Sequence, residues 1–142
     1  MMRHVHHLLI AAALWGLAAG GVCAADVKVI ANASVAVSSV SVDDLKSIFL
    51  ATKTSFSDGR RVEPVLLKSG SAHEIFVKQY MGKTDTGLEM YYRSLVFTGK
   101  GSMPKSLASD AEMVDYVART KGAIGYVSGA ANTNKVRVLE VR

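Results

Sequence analysis

The sequence predicts a mixed α/β domain in which helices cover both faces of one sheet. Short apolar runs rich in β-branched residues alternate with longer segments that carry apolar residues at helical spacing. The capping-box pattern of a helix start, Ser-x-x-Asp or Ser-x-x-Glu, occurs three times ahead of such segments. No repeat or low-complexity tract interrupts this order. Strands separated by helices favour a sheet that is flanked on both sides.

The first predicted elements are a strand and a helix. Residues 26–31 (DVKVIA) alternate polar and apolar side chains, as a half-buried strand does, and a polar connection over 32–39 follows. Ser41 and Asp44 then form a capping box ahead of apolar residues at helical spacing. We therefore expect an amphipathic helix over 43–51.

The next elements are an exposed loop, a buried strand and a second helix. Residues 52–61 are polar and contain an Asp-Gly turn signal, so we expect them to be exposed. The run 62–67 (VEPVLL) is short and contains β-branched residues, which predicts a strand that is covered on both faces. A helix over 72–81 follows, and Gly82 ends it.

The third predicted helix covers 86–97. Its packed side is assigned to Leu88, Tyr91, Tyr92, Leu95 and Val96. The two adjacent tyrosines could form a stacking surface for a ligand, but aromatic residues on one helix face more often belong to a core. We therefore assign them to the core.

The last predicted elements follow a loop over 98–107 that contains Gly, Pro and Ser together with two lysines. A capping box begins at Ser109 and opens a helix that runs to Arg119. Two strands are predicted after it, over 123–127 (AIGYV) and 136–141 (VRVLEV).

Residues 1–25 have the pattern of a secretory signal. Arg3 and three histidines precede an almost purely apolar stretch, and small residues follow, with cleavage expected after Ala25 or Ala24. The apolar core is too short for a stable bilayer anchor, so we predict no stable membrane insertion after its removal. This leaves one domain over 26–142, and we expect it in the periplasm.

Charge and cysteine content limit the classes of function. Cys23, the single cysteine, lies in the predicted signal, so the mature domain would have no disulfide, thiolate nucleophile or thiolate metal site. Seventeen Lys and Arg against twelve Asp and Glu give a net charge of +5, a modest excess spread along the chain. It is compatible with an anionic ligand or an envelope surface. No basic run with interleaved aromatic residues indicates nucleic-acid binding.

The turn at 68–71 (KSGS) is the predicted site of function. It joins the buried strand to a helix, and Ser71 with Glu74 reads as the capping box of that helix. Gly70 allows a tight turn. Several N–H groups would point out of the helix start, with the positive end of the helix dipole behind them, and Lys68 adds a full charge. Such a turn can bind an anion, although most turns of this kind are only well-capped helix starts.

Four phrases in this order resemble the periplasmic phosphate-binding proteins of ABC importers. They are DDLKSIFLATKTSFSDG, VEPVLLKSGSAHEIF, LVFTGKG and TKGAIGYV. The resemblance runs from about residue 27 to 141 and is most specific at 122–127 (GAIGYV). It is strongest to the short, one-lobe phosphate ABC transporter substrate-binding proteins, also called PBP-like domains. It implies a single lobe of a type II periplasmic-binding-protein fold.

The resemblance also implies a ligand and its contacts. In the two-lobe proteins of this family, a Ser-Gly-Thr turn at a helix start contributes to a phosphate site between the lobes. Ser69, Gly70 and Ser71 match that turn, with Ser in place of Thr. Phosphate or a related oxyanion is therefore the expected ligand, held by these residues together with Lys68 and His73. His73 is alternatively an exposed polar residue without a role.

Two departures from the family pattern limit the expected affinity. Val65 stands where the two-lobe proteins have an arginine, so the bidentate guanidinium contact is missing unless Lys68 replaces it as a point charge. The second lobe is also missing, and water would compete for an open half-site. We expect weak binding by a monomer. A homodimer, an ABC permease or another envelope protein would supply the second surface.

Two other classes of function are open to a chain of this composition. The chain could be an envelope interaction or sensory module that kept the lobe fold without capturing a ligand, with the loop 98–107 as a contact surface. Catalysis is disfavoured, because His73 is the only histidine of the mature domain and would diverge from Ser71 at a helix start. The sequence offers no His and carboxylate cluster for a metal. We predict no enzyme activity, no metal and no cofactor.

Overall fold

The computed structural model describes residues 26–142, which form a six-stranded mixed sheet and four α-helices. The strands are β1 Val27–Ala31, β2 Ser39–Val40, β3 Glu63–Leu67, β4 Lys105–Leu107, β5 Ala123–Ser128 and β6 Arg137–Val141. The helices are α1 Val42–Phe49, α2 Ser71–Phe76, α3 Asp85–Phe97 and α4 Asp110–Arg119, and a π-helical segment, Val77–Met81, continues α2. The mixed α/β class is confirmed. The predicted signal over 1–25 lies outside the described residues.

The strand order is β2-β6-β1-β5-β3-β4. β3 is parallel to both β4 and β5, β2 is parallel to β6, and β1 is antiparallel to its two neighbours. Five of the six strands therefore end at the same edge of the sheet. We call this the carboxyl edge, and it includes the turn 68–71. The opposite edge, where segments 51–62, 98–104 and 119–122 lead into strand starts, is called the amino edge.

Side chains of β5 show that helices cover both faces of the sheet. A Cβ added to Gly125 would lie 2.5 Å from the Sδ atom of Met113, so this position faces α4 at close range. Successive strand residues point to opposite faces. Tyr126 accordingly lies on the other face, where its ring stacks on Phe76 of α2 with a centroid distance of 3.8 Å. The predicted two-sided sheet is confirmed.

Two of the three predicted capping boxes begin helices as expected. The Ser41 hydroxyl accepts a hydrogen bond from the N–H of Asp44 at 3.0 Å, and the Ser109 hydroxyl accepts one from Glu112 at 3.2 Å. α1 ends earlier than predicted, because Ala51 adopts a left-handed conformation with φ 60°.

The third capping-box prediction, at Ser71, is wrong. Gly70 is the N-cap of α2, no side chain caps this helix, and Ser71 is its first residue. Gly70 has φ 104° and ψ 169°, a conformation that only glycine adopts readily. The chain therefore turns one residue earlier than the serine pattern suggests.

Helix α3 packs less completely than predicted. Tyr92 is buried and its hydroxyl donates to the Phe49 carbonyl, while half-buried Tyr91 donates to the Leu50 carbonyl at 2.7 Å. The core assignment of both tyrosines is thus confirmed. Val96, which was assigned to the packed side, is instead 51% exposed. None of the helices in residues 26–142 combines the length and apolarity needed to cross a bilayer.

Candidate functional site

The turn 68–71 lies at the carboxyl edge, between the ends of β3 and β4. The Lys68 N–H donates to the Leu107 carbonyl at 2.9 Å, which ties the turn to the neighbouring strand. Lys68, Ser69, Gly70 and Ser71 are all exposed. The structure therefore brings four of the five predicted site residues together at the surface.

Backbone N–H groups at the start of α2 are the principal donors of this turn. The first N–H groups of an α-helix have no acceptor within the helix, and no side chain caps them in α2. The N–H of Glu74 is the first to be satisfied, by the Gly70 carbonyl at 3.1 Å. Because Ser71 does not cap the helix, its hydroxyl is left for other contacts. The turn thus offers backbone N–H groups, two hydroxyls and the Lys68 ammonium.

His73 is not exposed, and this alternative from the sequence is wrong. The residue is 3% exposed. Its Nδ1 atom lies 2.5 Å from the Tyr126 hydroxyl, and its Nε2 atom lies 2.8 Å from a carboxylate oxygen of Asp85. Both ring nitrogens are therefore engaged inside the protein. We leave His73 out of the proposed anion contacts.

The hydrogen bonds around His73 form a directed chain. The Leu67 N–H donates to the Tyr126 hydroxyl at 3.0 Å, which leaves the hydroxyl proton for Nδ1 of His73. Nε2–H then donates to Asp85. This chain connects the end of β3, the centre of β5 and the starts of α2 and α3. These buried hydrogen bonds fix the two ends of the turn 68–71, because Leu67 precedes the turn and His73 follows it.

A sequence of hydroxyl, imidazole and carboxylate resembles a catalytic relay, but burial argues against that role here. Tyr126 is fully buried, and substrate could not reach its hydroxyl. Burial also raises the pKa of the Tyr126 phenol, because the phenolate would lose its solvation. The Tyr126 hydroxyl is therefore a poor nucleophile, and we assign it a structural role.

The helix pattern of the sequence contained a signal for the burial of His73. Phe76, Val77 and Tyr80 follow His73 at spacings of three, four and seven residues. This spacing places the histidine on the apolar face of its helix.

Acidic residues at the helix starts oppose anion binding at the carboxyl edge. They are Asp43, Asp44, Glu74, Asp85, Asp110 and Glu112. Such charges are favourable beside the positive end of a helix dipole. Four are already engaged. Asp110 accepts from the Ser128 hydroxyl at 2.5 Å, Asp85 accepts from His73, and Glu112 accepts from the Ala108 N–H. Lys53 lies 2.9 Å from Asp44 and lowers the pKa of its carboxyl. Their charge still reduces the attraction of the turn for an anion.

Val65 has no access to the turn. It is a fully buried residue of β3, so the position at which the two-lobe proteins have an arginine belongs to the core here. Lys68 is the cation within the turn itself. Among residues 26–142, no group of three or more His, Cys, Asp and Glu side chains is placed to hold a metal ion.

The fold is shared with phosphate-binding proteins of ABC transport systems. A protein of Clostridium perfringens assigned as a phosphate ABC transporter substrate-binding protein, solved with bound phosphate, matches 82% of this chain with a TM-score of 0.65 and 16% identity. An ABC-type phosphate transport receptor of Vibrio cholerae matches 82% with a TM-score of 0.62 and 14% identity. The PstS protein of Borrelia burgdorferi matches 83% with a TM-score of 0.63 and 13% identity.

These matches define the fold as one lobe of a periplasmic binding protein. The match covers 45%, 46% and 47% of the three solved chains, so this chain spans less than half of their length. No family model matches the sequence, and no curated protein does. The solved neighbours are named for binding and transport and not for catalysis.

Proposed function

We propose that the chain is a periplasmic solute-binding module that binds phosphate or a related oxyanion weakly for an ABC-type uptake system. The observation that carries this proposal is the start of α2, where no side chain caps the backbone N–H groups that follow Gly70, beside the exposed residues Ser69, Ser71 and Lys68. Ligands of open α/β sheets bind beyond the carboxyl ends of the strands, which is where this turn lies. The neighbour with bound phosphate supports the same class of ligand.

The geometry favours weak binding. Each exposed charge or hydrogen-bond contact contributes about 0.5–1 kcal/mol, and the turn offers only a few. Their sum is close to the ~4 kcal/mol that corresponds to a dissociation constant of about 1 mM. Full affinity requires a second surface that excludes water from the site, as a homodimer or a partner protein would.

Calorimetric titration of the folded 26–142 domain with phosphate, at low and moderate salt, tests this proposal. We expect saturable binding that weakens as salt rises. The Ser69→Ala/Ser71→Ala variant should bind phosphate about 5- to 30-fold more weakly, because two contacts of about 0.5–1 kcal/mol each are lost. The matched control is Ser57→Ala/Ser94→Ala, which removes two exposed hydroxyls elsewhere. The absence of heat with phosphate, sulfate and arsenate would contradict capture by the isolated chain.

A second function is favoured by the burial of Val65. Since the family's arginine position is part of the core here, the lobe fold could serve an envelope interaction or sensory role without capturing a ligand. The titration separates the two functions, because such a module would stay folded and bind no oxyanion.

A further inference from the structure

The amino edge carries a basic groove that the proposed anion site does not use. The groove has a volume of about 820 Å³. Its lining includes Lys53, Arg61 and Lys121, together with the apolar side chains of Met103 and Pro104. It lies at the opposite edge of the sheet from the turn 68–71.

The backbone brings two of the cation-bearing segments close together. The Glu63 N–H donates to the Gly122 carbonyl at 2.9 Å, which joins the segments that carry Arg61 and Lys121. A Cβ on Gly122 would lie 2.4 Å from the Arg61 carbonyl oxygen, so the two segments are as close as a glycine permits. Both side chains line the same groove, so an anion in the groove would be attracted by both charges.

Several cations at this edge have no carboxylate partner. Within the described part of the chain, neither Arg61 nor Lys121 takes part in a salt bridge. Glu63, which also lines the groove, accepts a hydrogen bond from the Tyr116 hydroxyl at 2.7 Å. Lys53 is paired with Asp44. Three more cations lie in the adjoining segments, Arg60, Lys100 and Arg119, and Arg60 has Asp58 as its partner at 3.7 Å.

Exposed apolar side chains lie at the same end of the molecule. Phe97, the last residue of α3, is 93% exposed, and Val96 and Met103 are each 51% exposed. The loop between Phe97 and Met103 folds back on the helix, since the Lys100 N–H donates to the Leu95 carbonyl at 3.0 Å. Phe97 projects into solvent and does not fill a groove of the protein.

We propose that this amino-edge surface, formed by Val96, Phe97, Lys100 and Met103 with Lys53, Arg61 and Lys121, docks on an anionic phospholipid membrane. The cations can contact anionic lipid headgroups, and the exposed apolar side chains can enter the acyl-chain region beneath them. Asp44 is paired with Lys53, and the other acidic helix-start residues follow strands that end at the opposite edge. This charge distribution orients the turn 68–71 away from the membrane.

Vesicle flotation tests the electrostatic part of this proposal. The 26–142 domain, which contains the whole described sheet and core, should float with phosphatidylcholine–phosphatidylglycerol vesicles at low salt. It should not float with phosphatidylcholine alone or at high salt. Arg61→Gln/Lys100→Gln/Lys121→Gln should lower the partition coefficient roughly 100-fold, at about fivefold per cation.

A matched triple variant shows whether vesicle binding depends on where the cations lie or only on the net charge of the domain. Lys78→Gln/Lys135→Gln/Arg142→Gln removes three exposed cations outside the proposed surface and should reduce binding much less. Equal losses in the two triple variants would overturn the assignment to the amino edge. Absence of binding to anionic vesicles at low salt would overturn the membrane as partner and leave an acidic protein as the alternative occupant.

Phe97→Trp tests the apolar part, since the described residues contain no other tryptophan. Its emission should shift to the blue on anionic vesicles, whereas that of Val138→Trp, on β6, should not change. An unchanged Phe97→Trp spectrum in a vesicle-bound protein would exclude insertion at this site. The Ser69→Ala/Ser71→Ala variant should still bind vesicles, so this proposal and the phosphate proposal can fail separately.

Discussion

The two edges of the sheet attract anions through different chemical groups. At the carboxyl edge the donors are mainly backbone N–H groups of the uncapped α2 start, held from below by Tyr126 and His73. At the amino edge the charge comes from side chains such as Arg61 and Lys121, which are exposed. A site made of backbone N–H groups is lost when the local fold is lost. A site made of charged side chains is lost when those surface residues are replaced. Loss of a supporting residue such as Tyr126 should therefore lower stability, whereas loss of an exposed side chain of the amino-edge surface, such as Phe97, should leave stability nearly unchanged.

The largest expected difference in unfolding free energy is between alanine substitutions of two aromatic residues. Tyr126→Ala should destabilise the domain by about 3–5 kcal/mol, because it removes a fully buried ring that stacks on Phe76. Phe97→Ala should change stability by no more than about 0.5 kcal/mol, because its side chain is 93% exposed. Urea unfolding of both variants measures the difference. A similar cost for the two would contradict the assignment of Phe97 to a free surface.

A smaller difference in stability is expected between alanine substitutions of two glycines with positive φ. Gly70→Ala should cost about 1–3 kcal/mol through backbone strain alone, since no atom lies within 4 Å of the added Cβ. Gly122→Ala meets the Arg61 carbonyl oxygen at 2.4 Å as well and should cost roughly 1–3 kcal/mol more. Equal thermal shifts in the two variants would argue against the close contact at the amino edge.

The smallest expected effect concerns alkaline pH. Burial raises the pKa of Tyr126 and Tyr92, so the folded chain keeps phenol protons that the unfolded chain loses above about pH 10. Their contribution to stability is therefore present below pH 10 and falls as the pH rises further, by up to about 1.4 kcal/mol per pH unit for each tyrosine.

Tyr126→Phe provides the measurement. The variant should be less stable at neutral pH by about 1–3 kcal/mol, because the Leu67 N–H and His73 lose their partner. Its stability should nevertheless decline less steeply than that of the wild type above pH 10. Parallel declines in denaturant unfolding experiments would show that Tyr126 ionises as readily in the folded chain as in the unfolded one.

Much of the fold could be predicted from local patterns. Alternation identified β1 and β6, a continuous apolar run identified β3, and the serines at 41 and 109 begin helices as expected. β2 and β4 were missed because strands of two and three residues are too short to show a period. The π-helical continuation of α2 has no simple residue pattern.

The turn between β3 and α2 was predicted at the right place in the chain, and its role as an anion site stays a prediction. The turn 68–71 lies at the surface and at the carboxyl edge of the sheet. Its N-cap was misplaced because the conformation of Gly70 outweighs the serine pattern. The helical spacing indicates that His73 is buried, but its hydrogen-bond partner Tyr126 is 53 residues away in sequence. Long-range partners of this kind cannot be deduced from the helix alone.

The most direct test of the central claim is an NMR titration of the isotope-labelled 26–142 domain with phosphate. We predict saturable shifts of the amide signals of Ser69, Gly70, Ser71 and Ala72, with smaller shifts at Arg61 and Lys121. That result would place weak oxyanion binding at the start of α2. Shifts concentrated at the amino-edge groove, or no saturable shift at the turn, would contradict the account.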